Sequence, residues 1–530
     1  MQQILSAGGA LILLDGLDEV RDTDNSWVLR QIREFSQQFS QNQFVITCRI
    51  AAREYTFEQF TEVEIADFDD EQIADFSGKW FRSKNDLIKA ERFLQKLRED
   101  APILELATNP LLLTLLCLVF EDSGSFPINR AELYQTGVDV LLKKWDVKRN
   151  IEREQVYKRL SLKRKEDLLS QIARTTFEAG NYFFKQREVE RYITQYIQNL
   201  PDASTDLEVL ELDSVAVLKS IEAQHGLFVE RARGIYSFSH LTFHEYFTAR
   251  KIMTSCNPDA ADDATLQGLV SHLSEKRWRE VFLLSVGMLD SADVLLQLMK
   301  AQIDGLLAGD EKLQQFLMWL DEKTRSVKAS HKPAIVRAFY FNTSFPPARD
   351  LYPGDLRSDY GLYCNSAFDL AFGLTDVVQG TYDINIDLAL DFAHCRSVMR
   401  LCVQPCEFDP ALDHAYELAL EPELNTALKQ LKEQLPPPDS SPEILEQWRT
   451  DSGQIWADRL RAVMIEHRNI GHYWQLSNAQ KERLQQYYDA NMLLVDCLNS
   501  DCYVSREVRQ EIEETLLLPI AEIEKRNQLN

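Results

Sequence analysis

The chain has little positive charge, no long apolar run and no cysteine framework, and each shortage excludes something. Lys and Arg number 58 against 83 Asp and Glu, giving a net charge of −25. Nonspecific affinity for nucleic acid comes from basic side chains that displace counterions from phosphates, so nucleic acid is not an expected partner. The longest apolar run, LLLTLLCLVF at 111–120, is too short to cross a bilayer. The first ten residues, MQQILSAGGA, have neither the basic head nor the apolar body of a signal peptide. Nine cysteines are scattered without a paired pattern, so a reducing, cytoplasmic setting is expected, with no membrane partner.

What is present reads as globular protein. The chain is 530 residues long, 45% apolar and 27% charged, enough for roughly three or four compact units. Acidity concentrates toward the end: residues 341–530 carry 31 acids against 16 bases.

The segment LILLDGLDEV (11–20) runs four aliphatic residues straight into Asp15, with Asp18 and Glu19 close behind. Unalternated aliphatics fit a strand covered on both faces, as in parallel sheets. SWVLRQIREFSQQF (26–39) has helical spacing and FVIT (44–47) reads as a second buried strand, which completes one strand–helix–strand crossover. Ligands of open parallel sheets sit beyond the carboxyl ends of the strands, where Asp15 and Thr47 fall. A carboxylate there suits Mg²⁺, and a second acid can orient a water toward a terminal phosphate. The same letters also fit a plain Asp-Gly turn.

LILLDGLDEV resembles the Walker B segment of NACHT-family NTPases, signalling ATPases of the STAND class, and FVITCR resembles the sensor strand that follows it. The resemblance implies that Asp15 holds Mg²⁺ through water and that Asp18 or Glu19 acts on the hydrolytic water. It also implies that Thr47 and Arg49 stand at the sensor tip, with Arg49 reading the terminal phosphate. ATP or ADP with Mg²⁺ is thus the cofactor set expected of a complete protein, and no structural metal is expected. The phosphate loop G-x-x-x-x-G-K-[ST], whose backbone N–H groups and Lys cradle phosphates, occurs nowhere. The chain therefore reads as a NACHT protein that begins inside its NTPase domain, by truncation, gene splitting or degeneration.

Further along, FDDEQIADFSGKWF (68–81) opens a helix with Asp69 as cap and Gln72 completing a capping box. TNPLLLTLLCLVF (108–120) places Asn109 as cap and Pro110 at the first helical position. In STAND proteins a proline at such a helix start packs near the adenine, so the resemblance assigns Pro110 to nucleotide binding; a simple helix-initiating proline fits equally. INRAELYQTGVDVLLKKWD (128–146) is amphipathic.

Residues 165–252 read as a winged helix: helical periodicity through 165–199, then LFVER and IYSFSH flanking the turn ARG. FSHLTFHEYFTA (238–249) resembles the NACHT pattern that follows the wing, with His244 where Gln is usual. By that resemblance His240 reaches the bound diphosphate and latches the winged helix over it, while His244 matters less. An imidazole N–H can donate to a phosphate oxygen. His240 also fits a core histidine. A zinc hydrolase reading fails, because Leu241 stands where H-E-x-x-H needs Glu.

Beyond residue 256 the pattern is helical. KPAIVRAFYF, SAFDLAFGL and INIDLALDFAH resemble the C-terminal helical domain of bacterial, especially cyanobacterial, NACHT proteins. LPPPDSSPE (435–443) reads as a linker, and 446–467 and 478–498 as amphipathic helices. His394, Cys395, Cys402 and Cys406 match no zinc spacing.

The expected fold is mostly α with a partial α/β N-terminal segment, a P-loop NTPase-like parallel sheet. The expected domains are half an NTPase domain (1–82), a helical domain (83–150), a winged helix (151–255), a helical connector (256–330) and an all-α domain (331–530). Two functions stay open. One is an ATP/ADP-switched signalling protein that self-assembles, serving bacterial defence or conflict signalling. The other is a nucleotide-incompetent helical scaffold that binds protein partners through its C-terminal region.

Overall fold

A computed structural model of the chain describes residues 2–15, 17, 20, 22–47, 60, 61, 63, 67–84, 86–99, 101–127, 129–146, 161–200, 206–225, 227–327, 332–344, 422–437, 441–500 and 502–529. Asp18, Glu19, Arg49, the segments 366–374 and 384–394, and the His394–Cys406 set lie outside them. The chain forms two compact units, Met1–Leu295 with Ser500–Tyr503, and Leu296–Asn499 with Val504–Asn530. The division falls inside the stretch read as a connector.

The first unit opens with α1 (Gln2–Ala7), β1 (Leu11–Leu14), α2 (Asp22–Gln38) and β2 (Gln43–Ile46). The strands pair in parallel, Leu11 opposite Gln43 through Leu14 opposite Ile46. Asn42 ties the entry of β1 down: its side-chain amide donates to the carbonyls of Leu5 and Phe39 and its oxygen accepts from Ala10 N–H. Gly8 makes the preceding turn at φ 75°, and a Cβ there would sit 2.9 Å from the Gln41 Cβ, so only glycine fits.

One expectation is corrected at this sheet. Leu11, Leu13 and Val45 are 59%, 68% and 48% exposed, so the strands are not covered on both faces by the described residues. The aliphatic run reads identically whether one face or two are buried. The covered face meets α2, where Phe35 packs edge-on against Phe44 at 5.8 Å.

Next come α3 (Asp70–Ser83), α4 (Leu87–Glu99), α5 (Ala101–Ala107), α6 (Pro110–Ser123) and α7 (Arg130–Asp146). The capping box forms as its sequence requires: Asp69 accepts from Gln72 N–H at 2.8 Å, and the Gln72 side chain accepts from Asp69 N–H at 3.0 Å. The core of this bundle is aromatic, with Phe81, Phe93, Phe120 and Phe126 in mutual contact.

The winged helix follows as α8 (Leu162–Glu178), β3 (Phe184–Lys185), α9 (Gln186–Ile197), α10 (Leu207–His225), β4 (Phe228–Ala232), β5 (Ile235–Phe238) and α11 (Leu241–Met253). The expected continuous helical run over 165–199 is broken. Gly180 turns left-handed at φ 64°, Asn181 N–H closes onto the Thr176 carbonyl, and the chain spends Phe184 and Lys185 pairing with β5. The three strands lie in the order β3–β5–β4, and Phe184, Phe228 and Phe238 pack ring against ring on one face. The unit continues with α12 (Ala264–Val270) and α13 (Arg279–Met288).

The second unit is helical: α14 (Asp293–Ala308), α15 (Glu311–Ser326), α16 (Pro333–Ser344), α17 (Pro422–Lys432), α18 (Pro442–Trp448), α19 (Gln454–Arg468), α20 (Asn478–Asn499), α21 (Arg506–Thr515) and α22 (Ile520–Leu529). A π-helical turn at Arg449–Gly453 interrupts what the sequence presents as one helix over 446–467. Several buried polar side chains of this unit bond to backbone. Trp319 Nε1–H donates to the Asn469 carbonyl at 2.9 Å, and Trp456 Nε1–H to that of Leu431 at 2.8 Å. Arg337, 1% exposed, donates to the carbonyls of Leu516 (2.7 Å) and Glu514 (2.8 Å), which lie at the end of α21. Burial pulls its pKa down to about 10, with Asp321 opposing.

Arg337 supplies donors that no apolar residue replaces. Arg337→Met should cost about 3 kcal/mol, because two buried carbonyls lose charge-assisted bonds. Lys79→Ala, which removes an exposed i,i+4 pair with Asp75, should cost less than about 0.5 kcal/mol. Urea unfolding followed by tryptophan fluorescence compares the two; equal effects would show that Arg337 is not a structural strut.

Candidate functional site

The residues singled out in the sequence occupy three places in the first unit. The first is the end of the parallel pair. Leu17 N–H donates to the Thr47 carbonyl and Thr47 N–H to the Leu14 carbonyl, both at 2.9 Å, so the two strand tips are tied. That brings the Thr47 hydroxyl to Asp15 Oδ1 at 2.5 Å. The carboxylate is exposed, and Leu17 beside it is buried. An exposed carboxylate with a hydroxyl against one oxygen is a hard-oxygen donor set, which suits Mg²⁺ held through water.

The second place is the start of α6. Asn109 Oδ1 accepts from Leu112 N–H at 3.3 Å and its carbonyl from Leu113 N–H at 2.8 Å, with Pro110 first in the helix. Pro110 is exposed, while Leu112, Leu113, Leu115 and Leu116 behind it are buried. Phe68 N–H donates to the Thr108 carbonyl at 2.8 Å, fixing the loop before this helix to the start of α3.

The third place is the N-terminus of α11. His240 is its cap residue, extended at φ −133° and ψ 141°, and its side chain makes no capping hydrogen bond. The ring is exposed and lies near Phe243, 6.2 Å between centroids. Partial burial, and then the Arg231 guanidinium, hold its pKa below the usual histidine value. Arg231 is fixed across the wing by donating to Ser237 Oγ and to the Ser239 carbonyl, each at 3.0 Å. A cation, an imidazole and the start of a helix therefore share one exposed corner. Such a corner can receive an anion.

Among the described residues no hydrogen bond joins these three places. The structure brings Asp15 and Thr47 together and leaves Pro110 and His240 on separate elements.

His244 is another matter. The sequence put it four residues from His240 on a shared helical face, but His240 lies outside the helix. His244 is 1% exposed, with Nε2 at 2.9 Å from Thr176 Oγ1 and 3.0 Å from the Ala173 carbonyl, and it stacks on Phe238 at 4.7 Å. The Thr176 hydroxyl donates to the Ile172 carbonyl, so Nε2 carries the proton and donates toward α8. His244 is thus a residue of the core.

Sequence reasoning also passed over Arg250. It donates to Glu166 Oε2 at 2.6 Å and Asp167 Oδ1 at 3.2 Å, joining α11 to α8 across more than 80 residues of chain. Only the acid pair beside an apolar helix face hinted at it.

Two family models match the chain. One, described as the winged helix-turn-helix domain C-terminal to NACHT, covers residues 130–252; the other, NACHT C-terminal Helical domain 2, covers residues 424–519. The first match begins at α7, ahead of the winged helix proper. No curated protein matches the chain.

The contrast between the two histidines is measurable. His244→Ala should cost about 3 kcal/mol, since it leaves a cavity among Phe177, Tyr182 and Phe238 and frees a buried carbonyl. His240→Ala should change stability by less than about 0.5 kcal/mol. Thermal unfolding of both variants tests this, and a large loss at His240 would make it a core residue.

Proposed function

Because this chain is a NACHT-family protein by its winged helix and its C-terminal helical domain, we propose that it is the switching and partner-binding part of a nucleotide-controlled signalling assembly of the STAND class. The observation that carries the proposal is the corner at His240, where the winged helix offers an uncommitted imidazole beside Arg231 at the start of α11. There His240 donates to a diphosphate oxygen and Arg231 supplies positive charge, so ADP holds the winged helix closed. With its pKa held below the usual histidine value, the imidazole is neutral at pH 7 and donates through one N–H.

At the strand tips Asp15 holds a water of Mg²⁺, and Thr47 fixes the carboxylate for that task. Mg²⁺ bound to nucleotide neutralises phosphate charge. Pro110 borders the adenine, and Asp18, Glu19 and Arg49 take the roles that the family resemblance gives them. Exchange of ADP for ATP releases the winged helix and permits self-assembly, with the C-terminal helices receiving a protein partner. A role in bacterial defence or conflict signalling, in the cytoplasm, fits this scheme. No described helix is long and apolar enough to cross a membrane. The helix that would enter a DNA groove in a winged helix, α10, carries Glu208, Glu211, Asp213 and Glu222 against Lys219, which argues against nucleic acid.

The second reading, a nucleotide-incompetent scaffold, is favoured by one observation: no G-x-x-x-x-G-K-[ST] occurs in these residues.

Two measurements separate the readings. The 530-residue chain alone should hydrolyse no ATP above background with Mg²⁺, since phosphate-cradling amides and Lys are missing. Turnover abolished by Glu19→Gln would overturn that. Supplied with a segment bearing a phosphate loop, the protein should retain ADP. His240→Ala should then weaken retention roughly ten- to a hundred-fold and promote assembly, because the lost bond exists only in the closed state. Unchanged ADP content and size-exclusion profile would leave the scaffold reading standing.

A further inference from the structure

The elements that carry Asp15 and Thr47 are packed differently from the helices that follow them. Among the described residues of 2–47, Leu17 is the only apolar side chain that is buried; the other buried residues, Ser36 and Asn42, are polar. Ile4 and Trp27 are 62% and 57% exposed, and Leu11, Leu13 and Val45 lie open on the sheet face away from α2. Between α2 and the strands, Phe35 meets Phe39 at 5.1 Å and Phe44 at 5.8 Å, and all three rings are half-buried. In α3, α4, α6 and α7, by contrast, Phe81, Phe93, Leu113, Leu116, Leu133 and Val138 have no exposed surface.

Hydrophobic stabilisation scales with the apolar area removed from water, so the two stretches are held with very unequal strength. A parallel pair with four residues in each strand is too small to stand alone. Helix α2 gains little more, because a helix in a protein is stabilised mainly by the apolar face it buries. Polar bonds close the stretch instead. The Asn42 side-chain amide donates to the Leu5 and Phe39 carbonyls, each at 2.9 Å, and its oxygen accepts from Ala10 N–H at 3.1 Å. Gly9 N–H donates to the Gln41 carbonyl at 2.9 Å. Few buried apolar contacts and solvent-exposed hydrogen bonds are the marks of a segment that opens locally.

We propose that α1, β1, α2 and β2 form a detachable module, which opens and closes as one unit while α3 to α7 stay folded. Closing is what assembles the acidic tip. Leu17 N–H and Thr47 N–H bridge the two strand ends and bring the Thr47 hydroxyl to Asp15, so parting the strands dissolves this oxygen donor set. A ligand of the tip therefore binds the closed module alone, and its apparent affinity is reduced by the fraction of molecules that are closed. The module is a gate on the strand-tip site. It rests on burial and not on nucleotide, so it stands or falls separately from the function proposed above and from the His240 corner.

Native-state hydrogen exchange of the full chain provides the test. Amides 28–38 of α2 should open at least about a thousandfold more readily than amides 114–123 of α6. The amides of Val45 and Thr47, at β2, should open with the same constant as α2. Asn42→Ala, which removes the three side-chain bonds, should raise the opening of α2 and β2 about tenfold and leave α6 unchanged. The proposal is overturned if α2 and α6 share one opening constant, or if the α2 and β2 constants differ by more than about tenfold. It is overturned too if Asn42→Ala raises the opening of α6 by the same factor as that of α2. Should the variant fail to accumulate, the native profile decides alone.

Discussion

The first unit depends on how α11 can be buried on nearly every side and still carry polar residues. Phe243 through Ala249 and Ile252 are all inside, and that run includes His244, Glu245 and Thr248. Burying such groups costs several kcal/mol unless each finds a partner. His244 finds the end of α8 through Thr176 and Ala173, Thr248 turns back on the His244 carbonyl, and Arg250 meets Glu166. These bonds fix both the rotation of α11 and its position along α8. A helix so keyed cannot slide gradually, because a small shift breaks several partners together. Its rotation and its position along α8 are therefore set together.

That constraint also explains where reactivity remains. The only turn of α11 that meets solvent at its N-terminal side is the one capped by His240, and Arg231 is braced beside it across the wing. A ligand bound at this corner pulls on an element whose other end is set by the Glu166–Arg250 pair. The keyed helix therefore connects an exposed anion-receptive corner to a buried charge cluster without any flexible part between them.

Legibility in the sequence tracks how local the physics is. The capping box at Asp69 and the Asn109–Pro110 helix start were readable, because each is decided by residues three or four apart. The wing was readable from two β-rich segments around Gly234. The break after Glu178 was not, since residues 165–199 keep apolar spacing on both sides of Gly180 and periodicity cannot see a two-residue strand that pairs with Tyr236 and Ile235. The face of β1 that the described residues leave exposed was hidden for a different reason: a string of Leu and Ile carries no record of what covers it. In the candidate site, the meeting of Asp15 and Thr47 followed from their place at the ends of adjoining parallel strands. The buried place of His244 was not readable, because its partners Thr176 and Ala173 lie 68 and 71 residues earlier. Arg250 was invisible because its partners lie more than 80 residues earlier.

The separation of the three places is itself informative about energetics. Asp15 with Thr47, Pro110, and His240 sit at the exposed ends of separate elements, and among the described residues no hydrogen bond links one place to another. Where an element is packed from behind, its exposed end costs nothing further to hold ready, because its orientation is already fixed. A ligand that touches two such ends gains contacts only when the elements are close, so its binding energy is spent on the closed arrangement alone. Under the function proposed above, the protein supplies precision and the nucleotide supplies the bias.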